Sequence, residues 1–433
     1  MNIMNKKVII GIVGFGNIGG YFYDTLQKNL KNISIKTGKV PVVKYISCKS
    51  FSKKRKFKLP KSKWIKNPLE LVSKKDLDVV IELIGGGDGI AKKVIFRALK
   101  NKKHVITANK SLISKHGDQL ASLAEKNKVN LEYEASVAAG VPIIRSIKEG
   151  LIANRIKKIY GILNGTTNYI LSLMENSNKS FSEALSIAKE KGYAESNPSS
   201  DLNGSDAASK IRILSSIAFN KQISKNKILT EGIQNISLTD ISRAKTLGYK
   251  IKLLAISEII NNKLIERVHP CLVATSSYIA NIDGVQNAII VDGFPIGRSI
   301  LQGEGAGPGP TTSALVSDLC SILRGNVKYP FGVSTFLRKK INKFNILDHS
   351  TSSYLRIVVN DKPGVLSSIT KIFAKNKISI MDLVQLPDKT NKKASIIIIT
   401  HKNYEKNFSS LITNLIKNKF VLQKPTFIRI EKV

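Results

Sequence analysis

Val8-Ile9-Ile10-Gly11-Ile12-Val13 runs directly into Gly14-Phe15-Gly16-Asn17-Ile18-Gly19. The first six residues are continuously apolar and largely β-branched, the pattern of a strand buried on both faces of a parallel sheet. The next six form a G-x-G-x-x-G turn, and Gly20 to Leu30 reads as a helix. In that context the first glycine permits a tight turn and the second lets the backbone approach a pyrophosphate. The third lets helix and strand pack closely, and the helix N-terminus stabilises the anion. The spacing predicts an α/β domain with a doubly wound parallel sheet of the Rossmann type, holding a dinucleotide at Gly14, Phe15, Gly16, Asn17, Ile18 and Gly19.

Working outward, Val42 to Ser47 reads as the second strand. An NAD-binding chain carries an acidic residue near its end for the ribose hydroxyls. Here stand Ser47-Cys48-Lys49-Ser50 and then Ser52-Lys53-Lys54-Arg55. Hydroxyls and cations, Lys49 among them, favour a 2′-phosphate, so NADP(H) is expected over NAD(H). Leu77 to Ile84 is a third strand, closed by Gly85-Gly86-Gly87, with Gly86 a cofactor candidate, and Ala91 to Lys100 is its helix. His104-Val105-Ile106 is a fourth strand and ends in Thr107-Ala108-Asn109-Lys110. Carboxyl ends of such strands face the ligand crevice, which places Lys110 to reach nicotinamide or substrate. Val129 to Glu134 is one more strand, leading into the small-residue loop Ala135 to Pro142. Backbone oxygens there, with the Glu134 carboxylate, could ligate a hard cation.

The pattern then becomes mixed. Arg155 to Leu163 reads as a strand, and Asn164-Gly165-Thr166-Thr167-Asn168 opens a helix. Helices are expected at Phe181 to Lys191 and Ala207 to Asn220, and strands at Ile265 to Val273 and Ala288 to Val291. Between the two helices lies Glu195 to Lys210, with three carboxylates and one lysine. Asp206 and Lys210 are four apart and share one helix face. A lysine among carboxylates after a glycine-hinged turn suits proton transfer to a small polar substrate. Gly303 to Thr311 is a second glycine-rich turn, and Thr312 to Arg324 a helix returning to the first domain. After a linker around Lys339 to Ser353 the tail reads βαββαβ, the ferredoxin-like plan.

Composition narrows the function class. The chain has 433 residues, 42% of them hydrophobic, enough to bury a core. Its formal charge is +38, from 69 Lys+Arg against 31 Asp+Glu. The basic residues are scattered, with no aromatic-interleaved patch or basic arm, so no specific nucleic-acid partner is expected. Cys48, Cys271 and Cys320 form no CxxC pair, which argues against a disulfide framework or a zinc site and for a cytoplasmic setting. No apolar stretch is long enough to span a membrane.

These motifs in this order resemble the homoserine dehydrogenases of the bacterial single-function type with a C-terminal ACT domain. The likeness rests on Gly14 to Gly19, Ile106 to Lys110, Glu134 to Pro142, Gly161 to Asn168, Glu195 to Lys210 and Gly305 to Thr311. It implies NAD(P)H-dependent reduction of L-aspartate 4-semialdehyde to L-homoserine, a step towards threonine and methionine. By the same resemblance Lys210 matches the proton donor to the aldehyde oxygen, and Lys110 a second lysine near nicotinamide and substrate. Glu195 and Asp201 match substrate-binding carboxylates, with Gly165 and Thr166 beside them, and Asp206 a carboxylate next to the catalytic lysine. Gly305 and Gly307 join the cofactor set. Backbone oxygens of Glu134, Val137, Ala139 and Val141 match a monovalent-cation (Na+ or K+) loop, although Ala138-Ala139 replaces a pair usually richer in glycine.

In the tail, Asp361-Lys362-Pro363-Gly364-Val365-Leu366 matches the ACT ligand loop, so Asp361, Pro363, Gly364 and Val365 are effector candidates and L-threonine the expected inhibitor. The resemblance implies a homodimer or homotetramer. It divides the chain into a Rossmann domain at 1–142, completed by about 305–338, a substrate and dimerisation α+β domain with a mixed sheet at 143–304, and an ACT domain at 350–433. Aspartate-semialdehyde dehydrogenase chemistry would need a nucleophilic cysteine, and none of the three stands in such a setting. An NADP-binding amino-acid sensor without catalysis would not need both Lys110 and Lys210.

Overall fold

The computed structural model describes residues 6–49, 51–52, 60–388 and 392–433. Ser50, Lys53, Lys54 and Arg55 of the expected phosphate-binding turn lie outside them. The described chain divides into two compact units. The first comprises residues up to Leu163, Ser209–Asn226 and Gln286–Ile341; the second comprises Asn164–Ala208, Lys227–Val285 and Asn342–Val433.

The first unit is built on strands β1 (Lys7–Val13), β2 (Val40–Ser47), β3 (Val79–Glu82), β4 (His104–Thr107) and β5 (Leu131–Glu132). They pair in parallel in the order β2-β1-β3-β4-β5. The chain leaves β1 towards β2 and returns to the other side of β1 as β3, so the switch point lies at the carboxyl ends of β1 and β3. Ile10, Ile12, Val79, Ile81 and Ile106 are fully buried and pack with Phe22 and Leu26 of the helix Asn17–Lys28. That helix begins inside the glycine motif, and a further helix, Leu30–Thr37, follows it. Polar Lys31, Asn32 and Lys36 hide the second helix from a search for apolar periodicity.

The helix Pro308–Leu323 puts Leu315, Leu319, Ile322 and Leu323 into the same core, as the expected return to the first domain requires. It starts before Thr312 because Pro308 and Pro310 fall in its first turn, where no backbone N–H donor is needed. Strands Arg155–Ile162, Gln286–Phe294 and Gly297–Glu304 form an antiparallel ribbon in this unit. A Cβ at Gly161 would stand 2.0 Å from the Ala288 carbonyl oxygen, so this strand crossing requires glycine.

In the second unit the long hairpin Tyr249–Ile260 and Lys263–Ala274 carries a mixed sheet. Thr426–Ile430 joins it in parallel, with Arg429 opposite Cys271. Ser350–Asn360, Lys393–Thr400 and Ile380–Asp388 follow as antiparallel neighbours. With helices Val365–Lys375 and Glu405–Ile416 these complete the expected βαββαβ tail, closed around Leu355, Ile357, Ile369, Phe373, Phe408 and Leu411. The linker before it is pinned by Leu264 N–H to the Asn342 carbonyl (2.8 Å) and Phe344 N–H to the Leu264 carbonyl (2.7 Å). Among the described residues no helix is long and apolar enough to cross a membrane.

Candidate active site

The first unit supplies a cradle for a dinucleotide. Gly14 has φ +106, and a Cβ there would lie 2.6 Å from the Leu83 carbonyl oxygen. At Gly19 a Cβ would meet the Gly14 carbonyl oxygen at 2.2 Å. Gly16 differs: nothing lies within 4 Å of its Cβ direction. Two glycines are thus fixed by close packing, and the middle one faces open space at the start of Asn17–Lys28. No side chain caps that helix, so its first amides point at an approaching anion. The residues fit a pyrophosphate. Lys49 lies exposed just beyond β2. Gly307 has φ +111 before Pro308, and Gly305 leaves no room for a Cβ, which would fall 2.2 Å from the Asn287 side chain.

Glu82, at the end of β3, is fully buried. Its carboxylate accepts the N–H groups of Ile84 (2.7 Å) and Gly85 (3.0 Å) and the Thr107 hydroxyl (2.7 Å). Thr107 in turn accepts the Asn109 N–H, and Asn109 Nδ2 donates to the Gly86 carbonyl at 2.7 Å. Asn109 also caps the helix Lys110–Asn127 by accepting the Leu112 N–H. One buried carboxylate therefore ties the glycine turn after β3 to the turn that presents Lys110, which is half-buried. Neither Glu82 nor Asn109 entered the candidate set. The signal for Asn109 was present, an asparagine just before a helix.

Lys210 is buried, and its Nζ donates to the Leu163 carbonyl at 2.7 Å, at the end of Arg155–Ile162. It stands one turn beyond Asp206 on the helix Ser205–Ala218, the shared face expected from the spacing.

The second unit gathers the substrate-side candidates around Asn164, which the sequence reading also passed over. Asn164 Nδ2 donates to Asp201 Oδ1 (2.7 Å) and to Asp206 Oδ2 (2.9 Å). Its Oδ1 accepts the Thr167 N–H (2.9 Å) and caps the helix Gly165–Ser177. Both amide hydrogens are spent on carboxylates, so one side chain sets the spacing of Asp201 and Asp206. Gly165 is pressed onto the backbone at Val285, where a Cβ would meet the carbonyl oxygen at 2.6 Å. Thr166 donates to the Tyr193 carbonyl at 2.6 Å. Asp201 sits in the short helix Ser199–Leu202. Glu195 is exposed and makes no hydrogen bond or ion pair among the described residues, so it is not gathered with the other two carboxylates.

The cation loop requires a correction. Glu134 does not turn its carboxylate into the loop. Its two oxygens accept the N–H groups of Ile144 (2.9 Å) and Arg145 (2.8 Å) and cap the turn that follows. Burial pushes this carboxyl up to about 7, against the pull of those two amides. The carbonyls of Glu134, Val137, Ala139 and Val141 are all in buried residues, and those of Glu134 and Val141 already accept the N–H groups of Val137 (3.3 Å) and Ile143 (2.7 Å). Ala138 adopts φ +46, a conformation glycine reaches without strain, which explains why a glycine-richer pair suits this turn. In the tail, Asp361, Pro363 and Gly364 are exposed before the buried Val365, and Gly364 has φ +86 at the helix start.

Comparison with known proteins agrees with this architecture. Residues 14–134 match the model of the homoserine dehydrogenase NAD binding domain, 142–320 that of homoserine dehydrogenase, and 353–418 the ACT domain. The chain is 39% identical to a homoserine dehydrogenase of Neisseria gonorrhoeae, covering 99% of both sequences. It superposes on the crystal structure of a homoserine dehydrogenase from Thiobacillus denitrificans with a TM-score of 0.90, at 35% identity and 99% coverage of each chain. A hyperthermophilic archaeal homoserine dehydrogenase solved in complex with NADPH matches 73% of this chain and 97% of its own, with a TM-score of 0.62 and 26% identity. A parallel dinucleotide-binding sheet, a mixed-sheet domain and an ACT tail, matched end to end at these identities, make the chain a member of the homoserine dehydrogenase family of NAD(P)-dependent oxidoreductases.

Proposed function

We propose that this protein reduces L-aspartate 4-semialdehyde to L-homoserine, with Lys210 as the proton donor. The observation that carries this is the Asn164 clamp on Asp201 and Asp206, one helical turn before a buried lysine. NAD(P)H held by Gly14 to Gly19 would supply the hydride that the aldehyde carbon receives. Lys210 then gives its proton to the carbonyl oxygen, which becomes the alcohol. Lys110 stabilises the developing negative charge, since a cation near a forming alkoxide lowers the barrier. Asp201 holds the substrate ammonium, Gly165 and Thr166 border it, and Asp206 keeps the Lys210 environment anionic.

The open approach at Gly16 and the uncapped helix behind it support pyrophosphate binding by Gly14 to Gly19, with Gly86, Gly305 and Gly307 completing the cofactor set. The NADPH complex of the archaeal relative and the exposed Lys49 support a preference for NADP(H). Carbonyls of Glu134, Val137, Ala139 and Val141 would hold a sodium or potassium ion and stiffen the turn. In our reading the enzyme acts in the cytoplasm as a homodimer or homotetramer, with a cofactor domain at 1–142 completed by about 305–338, a substrate domain at 143–304 and an ACT domain at 350–433. It lies on the route to threonine and methionine, and L-threonine inhibits it through the Asp361 to Val365 loop. Initial rates of NADPH oxidation with L-aspartate 4-semialdehyde, with and without L-threonine, test both parts. Absence of turnover refutes the activity, and threonine-insensitive turnover refutes the regulation.

A further inference from the structure

The second unit contains a hollow of 510 Å³ between the tail and the segment that follows residue 230. This volume suits a small molecule. Glu231 and Ile236 stand on one wall, and Arg356, Lys424 and Phe427 on the other. The Asp361 to Val365 loop is not part of its lining.

The charges on the walls are specific. The Glu231 carboxylate is held on one edge by Arg429, at 2.7 and 3.1 Å, and remains partly exposed. Arg356 spends Nε and Nη2 on Asp240 (2.7 and 3.0 Å) and Nη2 also on the Thr426 hydroxyl. Its Nη1, and the Lys424 ammonium, have no partner among the described residues. Glu231 paired with Arg429, the free Nη1 edge of the Asp240-paired Arg356 and one uncommitted cation, Lys424, face a space with an apolar patch. A phosphate would be repelled by Glu231, and a neutral polyol would leave the Lys424 ammonium unanswered and the Arg356 Nη1 donor unfilled. A molecule bearing an ammonium, a carboxylate and a small side chain answers all three.

The same wall leads to the candidate substrate site. Ile233 N–H donates to the Leu202 carbonyl at 3.0 Å, and a Cβ on Gly232 would stand 2.1 Å from that oxygen. Glu231 N–H is fixed to the Val268 carbonyl at 2.8 Å. Leu202 directly follows Asp201, which Asn164 holds at 2.7 Å. A pull on Glu231 therefore reaches Asp201 through Gly232, the Ile233–Leu202 hydrogen bond and Leu202.

We infer that this hollow is a binding site for a free α-amino acid, separate from the ACT loop, and that its occupation shifts Asp201 through the Ile233–Leu202 contact. Only the effect on turnover rests on the proposed activity and regulation; binding does not. The test is isothermal titration of the full-length protein with the common L-amino acids one at a time, beside NADPH-oxidation rates. It uses the wild type, Asn235→Trp to fill the hollow, Lys424→Glu to reverse the charge offered to a carboxylate, and Asp361→Ala in the ACT loop.

We expect one amino acid to bind the wild type and Asp361→Ala alike, and to bind both hollow variants at least about tenfold more weakly, about 1.4 kcal/mol. Should Asn235→Trp misfold, Lys424→Glu carries the test, since Lys424 is exposed. Binding that changes no rate would keep the site and refute its regulatory use. Binding abolished only by Asp361→Ala, or no binding of any amino acid to the wild type, overturns the inference.

Discussion

Replacing Asn164 by aspartate tests the clamp with little change of shape. The variant keeps the oxygen that accepts the Thr167 N–H, so the helix cap survives. What it loses is the pair of N–H bonds to Asp201 and Asp206, at 2.7 and 2.9 Å. Hydrogen bonds to charged partners contribute about 1.5–3 kcal/mol each. Two of them sum to about 3–6 kcal/mol, and because they share one nitrogen we take the lower end. At about 1.4 kcal/mol per tenfold, kcat/KM should fall roughly a hundredfold. The new carboxylate also stands against two others, so one of the three takes up a proton more readily. Protonated, it becomes a donor again and restores one bond, so the deficit should shrink as pH falls. The assay is kcat/KM for wild type and Asn164→Asp across mildly acidic to alkaline pH, with Asn164→Ser to isolate the clamp. A deficit below threefold at alkaline pH, or one independent of pH, would refute the clamp as the device that spaces the carboxylates.

Gly16→Ala should fold normally, since nothing lies within 4 Å of the new methyl group, yet raise KM for the cofactor about tenfold. Gly19→Ala, whose methyl would sit 2.2 Å from a carbonyl oxygen, should lower the melting temperature; the reverse ranking in thermal melts would contradict the packing argument. Asp240 is fully buried and accepts from Ser237, Tyr354 and Arg356, so Asp240→Asn should cost about 3–5 kcal/mol of stability by urea unfolding. Burial holds His349 down at about 4, below its ordinary 6.5. Its folded-state value lies below the unfolded one, so the stability it contributes is complete above about pH 6.5 and is lost as pH falls towards 4. Discounted for its partial exposure, that loss is about 1–2 kcal/mol. His349→Gln should flatten the fall in melting temperature over this window, and curves parallel to the wild type would exclude the effect.

The architecture was legible wherever local pattern and burial agree. Val8 to Gly19 announced strand, turn and helix, and the βαββαβ order of the tail matches the observed elements. Legibility failed where tertiary partners override composition. Tyr249–Ile260 was not foreseen because Lys250 and Lys252 interrupt its apolar run. Lys252 is buried only because Asp283 and the Ile282 carbonyl receive its ammonium at 2.8 and 2.6 Å. Gly297–Glu304 carries no buried residue and shows no apolar run.

In the site, charged residues drew attention while neutral organisers did not. Asn164 and Asn109 act through amides whose partners lie 37, 42 and 23 residues away, a relation no local spacing reveals. Glu134 failed in the opposite sense, since a carboxylate at the head of a small-residue loop reads as a ligand until the helix turn it caps is seen.

The most direct test of the central claim is NADPH oxidation with L-aspartate 4-semialdehyde by the wild type and Lys210→Ala side by side. The account predicts wild-type turnover, and a loss of roughly a hundredfold to ten-thousandfold in kcat for the folded variant, the usual contribution of a general acid. A folded Lys210→Ala enzyme within tenfold of the wild type would contradict the assignment of the proton donor, and a wild type that binds NADPH but does not oxidise it would contradict the activity itself.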